Sequence, residues 1–396
     1  MIKKFTKTIV IVLILSMLLT GCGGGLEYNN SSSPKPAQNV QGSSASNTGA
    51  SNEKPSGTNS VGLEKNVYEI PQYTPKEGVK IIRAAVSLNS ADYGITPAGV
   101  LFKTLVDGIE EKSGGKILLQ MYPADQLASS TDDKIGGLSS GAFELSEISA
   151  GGWGDYTSAF AALNVPFLYK NIEVAHEVID GPFGEAMFKK LTEDCNVIPI
   201  SVMELGMRHM TNSVKEINAP EDLKGIKIRV QSDPIQIAAF EALGGSIVSV
   251  PFAELFTALQ QKLCEAQENP IHNIVSKKFY EIQPYLTLSE HGLTESLVIV
   301  SEKYWDTLSD EEKGWFQEIG REATEASRKA CAEQTDLLVQ QLRDYGITVT
   351  ELSIEEKQAF MDKMSPVYDK AKEAMGAEAW DNLTKAIADA ETKLGL

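Results

Sequence analysis

Four cysteines in 396 residues leave little room for disulfide or metal chemistry. Cys22, Cys195, Cys264 and Cys331 show no Cys-x-x-Cys spacing, and the three after Cys22 leave at least one unpaired within the chain. Small buried thiols are the plain reading of them. The four histidines, His176, His209, His272 and His291, are equally scattered, so neither a metal site nor a cofactor is expected. A P-loop and a dinucleotide glycine motif are both missing, which weakens enzymatic readings. Basic residues are in deficit: 36 Lys and Arg against 54 Asp and Glu give a formal charge of −18. That balance excludes nucleic acid as a partner, because phosphate binding requires basic surface. It does not exclude an anionic small ligand, since net charge sets the far field while one or two buried arginines govern a pocket.

The apolar run at residues 9–19 is too short for a spanning helix, which needs about 20 such residues. It follows Lys3, Lys4 and Lys7 and leads into Leu19-Thr-Gly-Cys22, the pattern of a secretory leader over residues 1–21. The small residues before Cys22 resemble the lipobox of bacterial lipoproteins. That resemblance implies acylation of Cys22, and a lipid anchor on the extracytoplasmic face of the cell membrane (periplasm or outer side of the plasma membrane). A membrane anchor with an incidental cysteine is the other reading, and both place the rest of the chain outside the cytoplasm. Residues 22–66 are rich in Gly, Ser, Asn and Pro with almost no large apolar side chains, so they read as a flexible tether. Such a chain of about 40 residues reaches roughly 35 Å.

Residues 67–396 alternate helical and strand patterns, the mark of an α/β fold. Strands are expected at 79–87, 117–122, 143–148, 197–203, 226–230, 246–250, 282–285, 293–301 and 347–352. Helices are expected from Pro97 to the Gly114-Gly115 pair, then over 131–140, 173–191, 234–243, 252–263 and 310–345, with amphipathic helices over 356–394. The helix over 252–263 would put Leu255, Phe256, Leu259 and Leu263 on one face. Ser309-x-x-Glu312 is a capping box for a helix of some 35 residues without proline, or for two helices broken near Gly320. In strand 226–230 the isoleucines alternate with Lys227 and Arg229, so Arg229 points away from the core. Ligands in such folds sit beyond the carboxyl ends of strands, where Arg229 and the expected turn at 267–270 fall.

Several motifs carry a resemblance. Leu223-Lys-Gly-Ile-Lys-Ile-Arg-Val230, Ala239-Phe-Glu-Ala-Leu-Gly-Gly245, Val250-Pro-Phe-Ala-Glu-Leu-Phe-Thr-Ala-Leu-Gln-Gln261 and Gln267-Glu-Asn-Pro270 follow in order. Looser ones are Tyr122-Pro-Ala-Asp-Gln-Leu127, Val165-Pro-Phe-Leu168 and Gly206-Met-Arg-His-Met-Thr-Asn212. Together they resemble the solute-binding proteins of TRAP (tripartite ATP-independent periplasmic) transporters, the DctP family.

The resemblance implies a two-lobed periplasmic-binding-protein-like α/β fold with crossing strands and a long helix spanning both lobes. Lobe I would hold about 78–205 and 296–330, lobe II about 206–295 and 331–352, with C-terminal helices over 353–396. It further implies that Arg229 clamps a ligand carboxylate, that Asn269 hydrogen-bonds the same group and that Phe252 packs over the ligand. Arg208 matches a second ligand-facing arginine, and Asn89, Glu147, Ser149 and Trp153 lie where first-lobe turns contribute contacts, with Tyr93 a weaker candidate. Plainer readings stand beside these: an interior ion pair for Arg229, a surface or crossover-strand arginine paired with an acid for Arg208, a turn residue before proline for Asn269, and packing beside Gly151-Gly152 for Trp153. The implied partners are an organic acid (a C4-dicarboxylate, a sugar acid, a keto acid or an aromatic acid) and the small and large membrane subunits of an ion-gradient-driven permease. Competing functions are a receptor for an ATP-driven importer, a sensor for a membrane receptor, or a secreted enzyme using Glu147 or Glu268.

Overall fold

The computed structural model describes residues 61–63, 68–158, 160–161 and 165–396. The expected leader, Cys22 and all of the expected tether except 61–63 lie outside the described residues. Lys80–Ala85 forms β1, Pro97–Lys112 α1, Ile117–Tyr122 β2, Thr131–Ser140 α2 and Leu145–Ser149 β3. Thr96 and Ser130 cap α1 and α2 by accepting from the Gly99 and Asp133 amides, and Pro97 takes the first helical position, where a missing N–H costs nothing. The single helix expected over 173–191 is two, α3 (Ile172–Ile179) and α4 (Pro182–Cys195). Pro182 has no N–H to continue the ladder and disfavours a helical Gly181, so the chain breaks there.

Next comes β4 (Val197–Asn212), 16 residues long and far beyond the expected 197–203. It joins the two halves of the molecule. Its first part pairs antiparallel with β9 (Leu293–Ser301), and residues 208–212 pair with β7 (Ala266–Pro270). Gly206, at φ 89°, absorbs a register shift after Glu204. The second half also holds β5 (Lys227–Val230), α5 (Pro234–Ala242), β6 (Ser246–Ser249), α6 (Leu255–Gln260), α7 (Ile271–Ser276) and β8 (Tyr285–Leu288). The turn expected at 267–270 is β7 itself, because Gln267, Glu268 and Asn269 pair along β4 and Pro270 falls at the strand's last position. The strand expected at 282–285 starts at Tyr285, just past Pro284. Since α6 ends at Gln260, Leu263 leaves the expected apolar face and stands 53 % exposed.

The sheet runs β2-β1-β3-β9-β4-β7-β5-β6, with β8 on β4. β9 is antiparallel to β3 and β4, and β7 is antiparallel to β4 while β5 and β6 run parallel to it. The carboxyl ends of β1 and β3 therefore face those of β5, β6 and β7 across the crossing point. After a short α8 (Glu302–Trp305), α9 (Asp310–Tyr345) runs unbroken for 36 residues, about 54 Å at 1.5 Å per residue. It packs Phe316, Ile319 and Ala323 into one half and Leu338, Val339 and Leu342 into the other. Each large side chain so buried contributes about 1.5–3 kcal/mol. Gly320 does not break the helix; it lets α9 press on β4, since a Cβ there would sit 1.8 Å from the Ile200 carbonyl oxygen. The chain closes with β10 (Thr348–Glu351), α10 (Ile354–Met361), α11 (Ser365–Met375) and α12 (Ala377–Leu394). Among the described residues no helix is long and apolar enough to cross a membrane.

Candidate ligand-binding cleft

A cavity of about 450 Å³ opens between the facing strand ends. From one half, Ser87 after β1, Lys134 on α2 and Glu147 and Ser149 on β3 line it; from the other, Arg229, Gln231, Phe252, Asn269 and the α7 residues His272 and Asn273 do. On β5 the pleat buries Ile228 and Val230 in the core and turns Arg229 into the cavity, although Arg229 is itself only 3 % exposed.

Two of the three guanidinium nitrogens of Arg229 are spent on positioning. Nε and Nη2 donate to the Val250 carbonyl at 3.1 and 2.9 Å. Nη1 is buried and has no partner among the described residues. Burial lowers the Arg229 pKa to about 10, with the Arg208 charge adding to the effect and Glu268 opposing it. A cation held this far from water, with one donor open, has strong reason to accept an anion.

Asn269 lies beside it on β7, buried, with its amide donating to Gln267 and its carbonyl accepting from Asn273 at 3.3 Å. Phe252 forms an apolar wall, with the Lys277 ammonium 5.5 Å from its ring centroid. Across the cavity Glu147 Oε1 accepts from Lys134 at 3.0 Å and from the Ser87 amide at 2.8 Å, while Oε2 is buried without a partner among the described residues. Ser149 lies 3.5 Å from Gln231 of the opposite half. Burial lowers the His272 pKa to about 4, so this ring is neutral near pH 7.

Four residues named from the sequence do not line the cavity. Arg208 is buried against Glu268, with Nη2 donating to Glu268 Oε1 at 2.8 Å and Nη1 donating to Thr294. Trp153 is fully buried in the first half, its ring centroid 6.2 Å from that of Phe160. Tyr93 is buried in the core around α1. Asn89 instead bridges the halves: its amide donates to Ser276 Oγ at 3.0 Å, and its oxygen accepts from Lys277 at 3.2 Å.

Sequence reasoning missed Lys134, Lys277, Gln231, His272 and Asn273. Gln231 had a usable signal, because it directly follows the last residue of β5 on the carboxyl side. Lys134 had none: a lysine in a short polar helix reads as solvated, and only the fold brings it to Glu147.

The family model for bacterial extracellular solute-binding protein, family 7 (DctP), matches residues 95–374. The chain belongs to this family. Among its relatives is the 2,3-diketo-L-gulonate-binding periplasmic protein YiaO of Escherichia coli (strain K12), 30 % identical over 66 % of this chain and 79 % of that protein. Another is the C4-dicarboxylate-binding periplasmic protein DctP of Vibrio cholerae, 29 % identical over 71 % of this chain and 84 % of that one. The crystal structure of the sugar acid binding protein DctPAm from Advenella mimigardefordensis in complex with galactonate superposes with a TM-score of 0.74. It is 31 % identical and aligns over 79 % of this chain and 99 % of that one. A TRAP periplasmic solute-binding protein from Sulfurospirillum deleyianum with bound succinate gives a TM-score of 0.72 at 26 % identity, over 77 % and 98 % of the two chains. This DctP-family chain is therefore a TRAP-type solute-binding protein with the α/β, two-lobed fold of its neighbours.

Proposed function

We propose that this chain captures a hydroxylated organic acid outside the cytoplasm and hands it to a TRAP permease. One observation supports the reading above all: Arg229, which carries an unpartnered, desolvated N–H group, lines the cavity between the facing strand ends. A carboxylate supplies the missing acceptor and the missing charge together. Asn269 stands next to that position, and Phe252 supplies the apolar face against which a carbon skeleton rests.

The charge balance of the cavity favours hydroxyls over a second carboxylate. Lys134 is already paired with Glu147, and Lys277 is directed at the Ser87 carbonyl and Asn89. Asp92, Asp125, Asp132 and Asp155 also line the space. A second ligand carboxylate would meet these acids, whereas a hydroxyl would donate to them or to the open Glu147 Oε2. The neighbours solved with galactonate and with β-D-glucuronate agree with this reading. The neighbour with succinate makes a C4-dicarboxylate the second one.

A thermal-shift screen of the purified chain tests the ordering. At 100 times its dissociation constant a ligand stabilises the native state by about 2.7 kcal/mol. Galactonate or glucuronate is expected to raise Tm where the same concentration of succinate does not. The reverse order transfers the assignment to dicarboxylates, and turnover of the bound acid during incubation refutes a binding role.

Delivery to small and large membrane subunits, and anchoring through Cys22, complete the proposal. The wild-type protein is expected to partition into detergent-extracted membranes and a Cys22→Ser variant into the soluble fraction. Equal partitioning of the two removes the lipid anchor from the proposal.

A further inference from the structure

Behind the cleft, on the opposite face of the crossing strands, two glutamates meet. Glu204 of β4 and Glu295 of β9 are directly opposite partners in the antiparallel register. Their sequence neighbours Met203, Leu205, Thr294 and Ser296 line the ligand cavity, so strand alternation turns the two carboxylates the other way. Like charges directly opposed across a strand pair are destabilising in solvent, and these are 2 % and 1 % exposed.

Nearby groups do not settle that charge. His176 of α3 contacts Glu204 through Nε2. Arg328 of α9 spends both terminal nitrogens on Asp180, at 2.6 and 2.9 Å, and its Nε stays 4.0 Å from Glu204. Both oxygens of Glu295 are buried without a hydrogen-bond partner among the described residues. Counting Glu204, Glu295, Asp180 and Arg328, the group carries two negative charges in excess.

We propose that His176, Glu204 and Glu295 form a binding site for a divalent transition-metal ion of the zinc class. One ligand atom from each lies within 4.8 Å of the others, so an ion seated between them would need only a modest closure of the three side chains to make zinc bonds of about 2.0–2.2 Å to each. An imidazole with two carboxylates suits a borderline ion better than magnesium or calcium, which favour all-oxygen shells. The Cys331 thiol lines the same rear cavity as His176, Glu204 and Arg328. That cavity, about 710 Å³, provides access for the ion. The histidines looked scattered in the sequence because α3, β4 and β9 come together only in the fold.

The test is titration of the tag-free, chelator-stripped chain with zinc chloride against a chromophoric chelator, repeated on Glu295→Gln and His176→Asn. One equivalent is expected to bind the wild type, and each variant is expected to raise the dissociation constant at least tenfold. Glutamine is nearly isosteric with protonated glutamate, so Glu295→Gln is expected to fold. His176 is partly exposed and gives a second variant with little packing to lose. No zinc held by the wild type, or zinc held equally by wild type and variants, overturns the proposal.

Discussion

Replacing Arg229 with alanine is expected to abolish organic-acid binding while leaving the unliganded protein as stable as before, or more so. The two halves of that expectation share one cause. In the free protein the guanidinium is buried, held by a single carbonyl and open at Nη1, and burial has already lowered its pKa to about 10. A cation whose pKa falls on folding works against folding, so removing it costs the apo protein nothing electrostatic. Once the acid is bound, the same desolvation strengthens the charge-assisted hydrogen bond. Removing the arginine then leaves a carboxylate buried without a counter-charge, a loss on the order of 3–5 kcal/mol, or 10²–10³-fold or more in affinity. Calorimetry with the best acid from the screen, beside urea unfolding of the apo proteins, measures both halves. Binding within a few-fold of wild type would move the carboxylate site away from Arg229. Arg229→Lys is expected to recover only part of the affinity, because a lysine keeps the charge but not the planar fork.

How far the cleft was readable in advance depends on how local each cause is. Arg229 was legible because strand alternation decides which way it points, and alternation is written into Ile226, Ile228 and Val230. The long helix was legible from its capping box and its unbroken pattern, and Gly320 kept an alternative open only because a close approach to β4 leaves no trace in sequence. Arg229 was a candidate on strand alternation and resemblance together, Arg208 on resemblance alone. They separate in the structure because Glu268, on the neighbouring strand β7, pairs with Arg208 and not with Arg229. That choice depends on the register between β4 and β7, a contact between distant segments. Lys134, Glu204 and Glu295 were illegible for the same reason.

On the proposed reading, the cleft also offers a way to couple capture to shape. Asn89 and Asp92 of one half touch Ser276 and Lys277 of the other through hydrogen bonds of 2.6–3.2 Å. These polar contacts trade against water and hold the halves together only weakly. An acid bonded to Arg229 on one side and to the Glu147 region on the other adds contacts that exist only when the halves are together. It therefore shifts the population toward that arrangement. β4, with its Gly206 irregularity, and α9 are the continuous elements that such a movement must bend.

The second large effect belongs to stability. Arg208→Met is expected to destabilise the protein by about 3–5 kcal/mol, because it strands the fully buried Glu268 carboxylate. A further Glu268→Leu substitution is expected to restore most of the loss, since an apolar pair of similar volume removes both desolvation costs. The pH dependence identifies the cause. Burial alone would raise the Glu268 pKa, but Arg208 and His291 outweigh it and lower the value to about 2. A carboxyl group with a depressed folded pKa stabilises fully above its unfolded value of about 4.3, and the contribution disappears as pH falls toward 2. Burial lowers the pKa of His209 to about 3, so the unfolded chain also takes up a proton there below about pH 6.5 while the folded chain does not. The wild type is thus expected to lose stability from pH 6.5 downward, and more steeply below about 4.5. In the double variant the histidine part of that slope remains and the steeper acid limb is gone. Urea unfolding between pH 7 and 3 separates the two, and a double variant that keeps the steep limb would show that the Arg208–Glu268 pair is not its source.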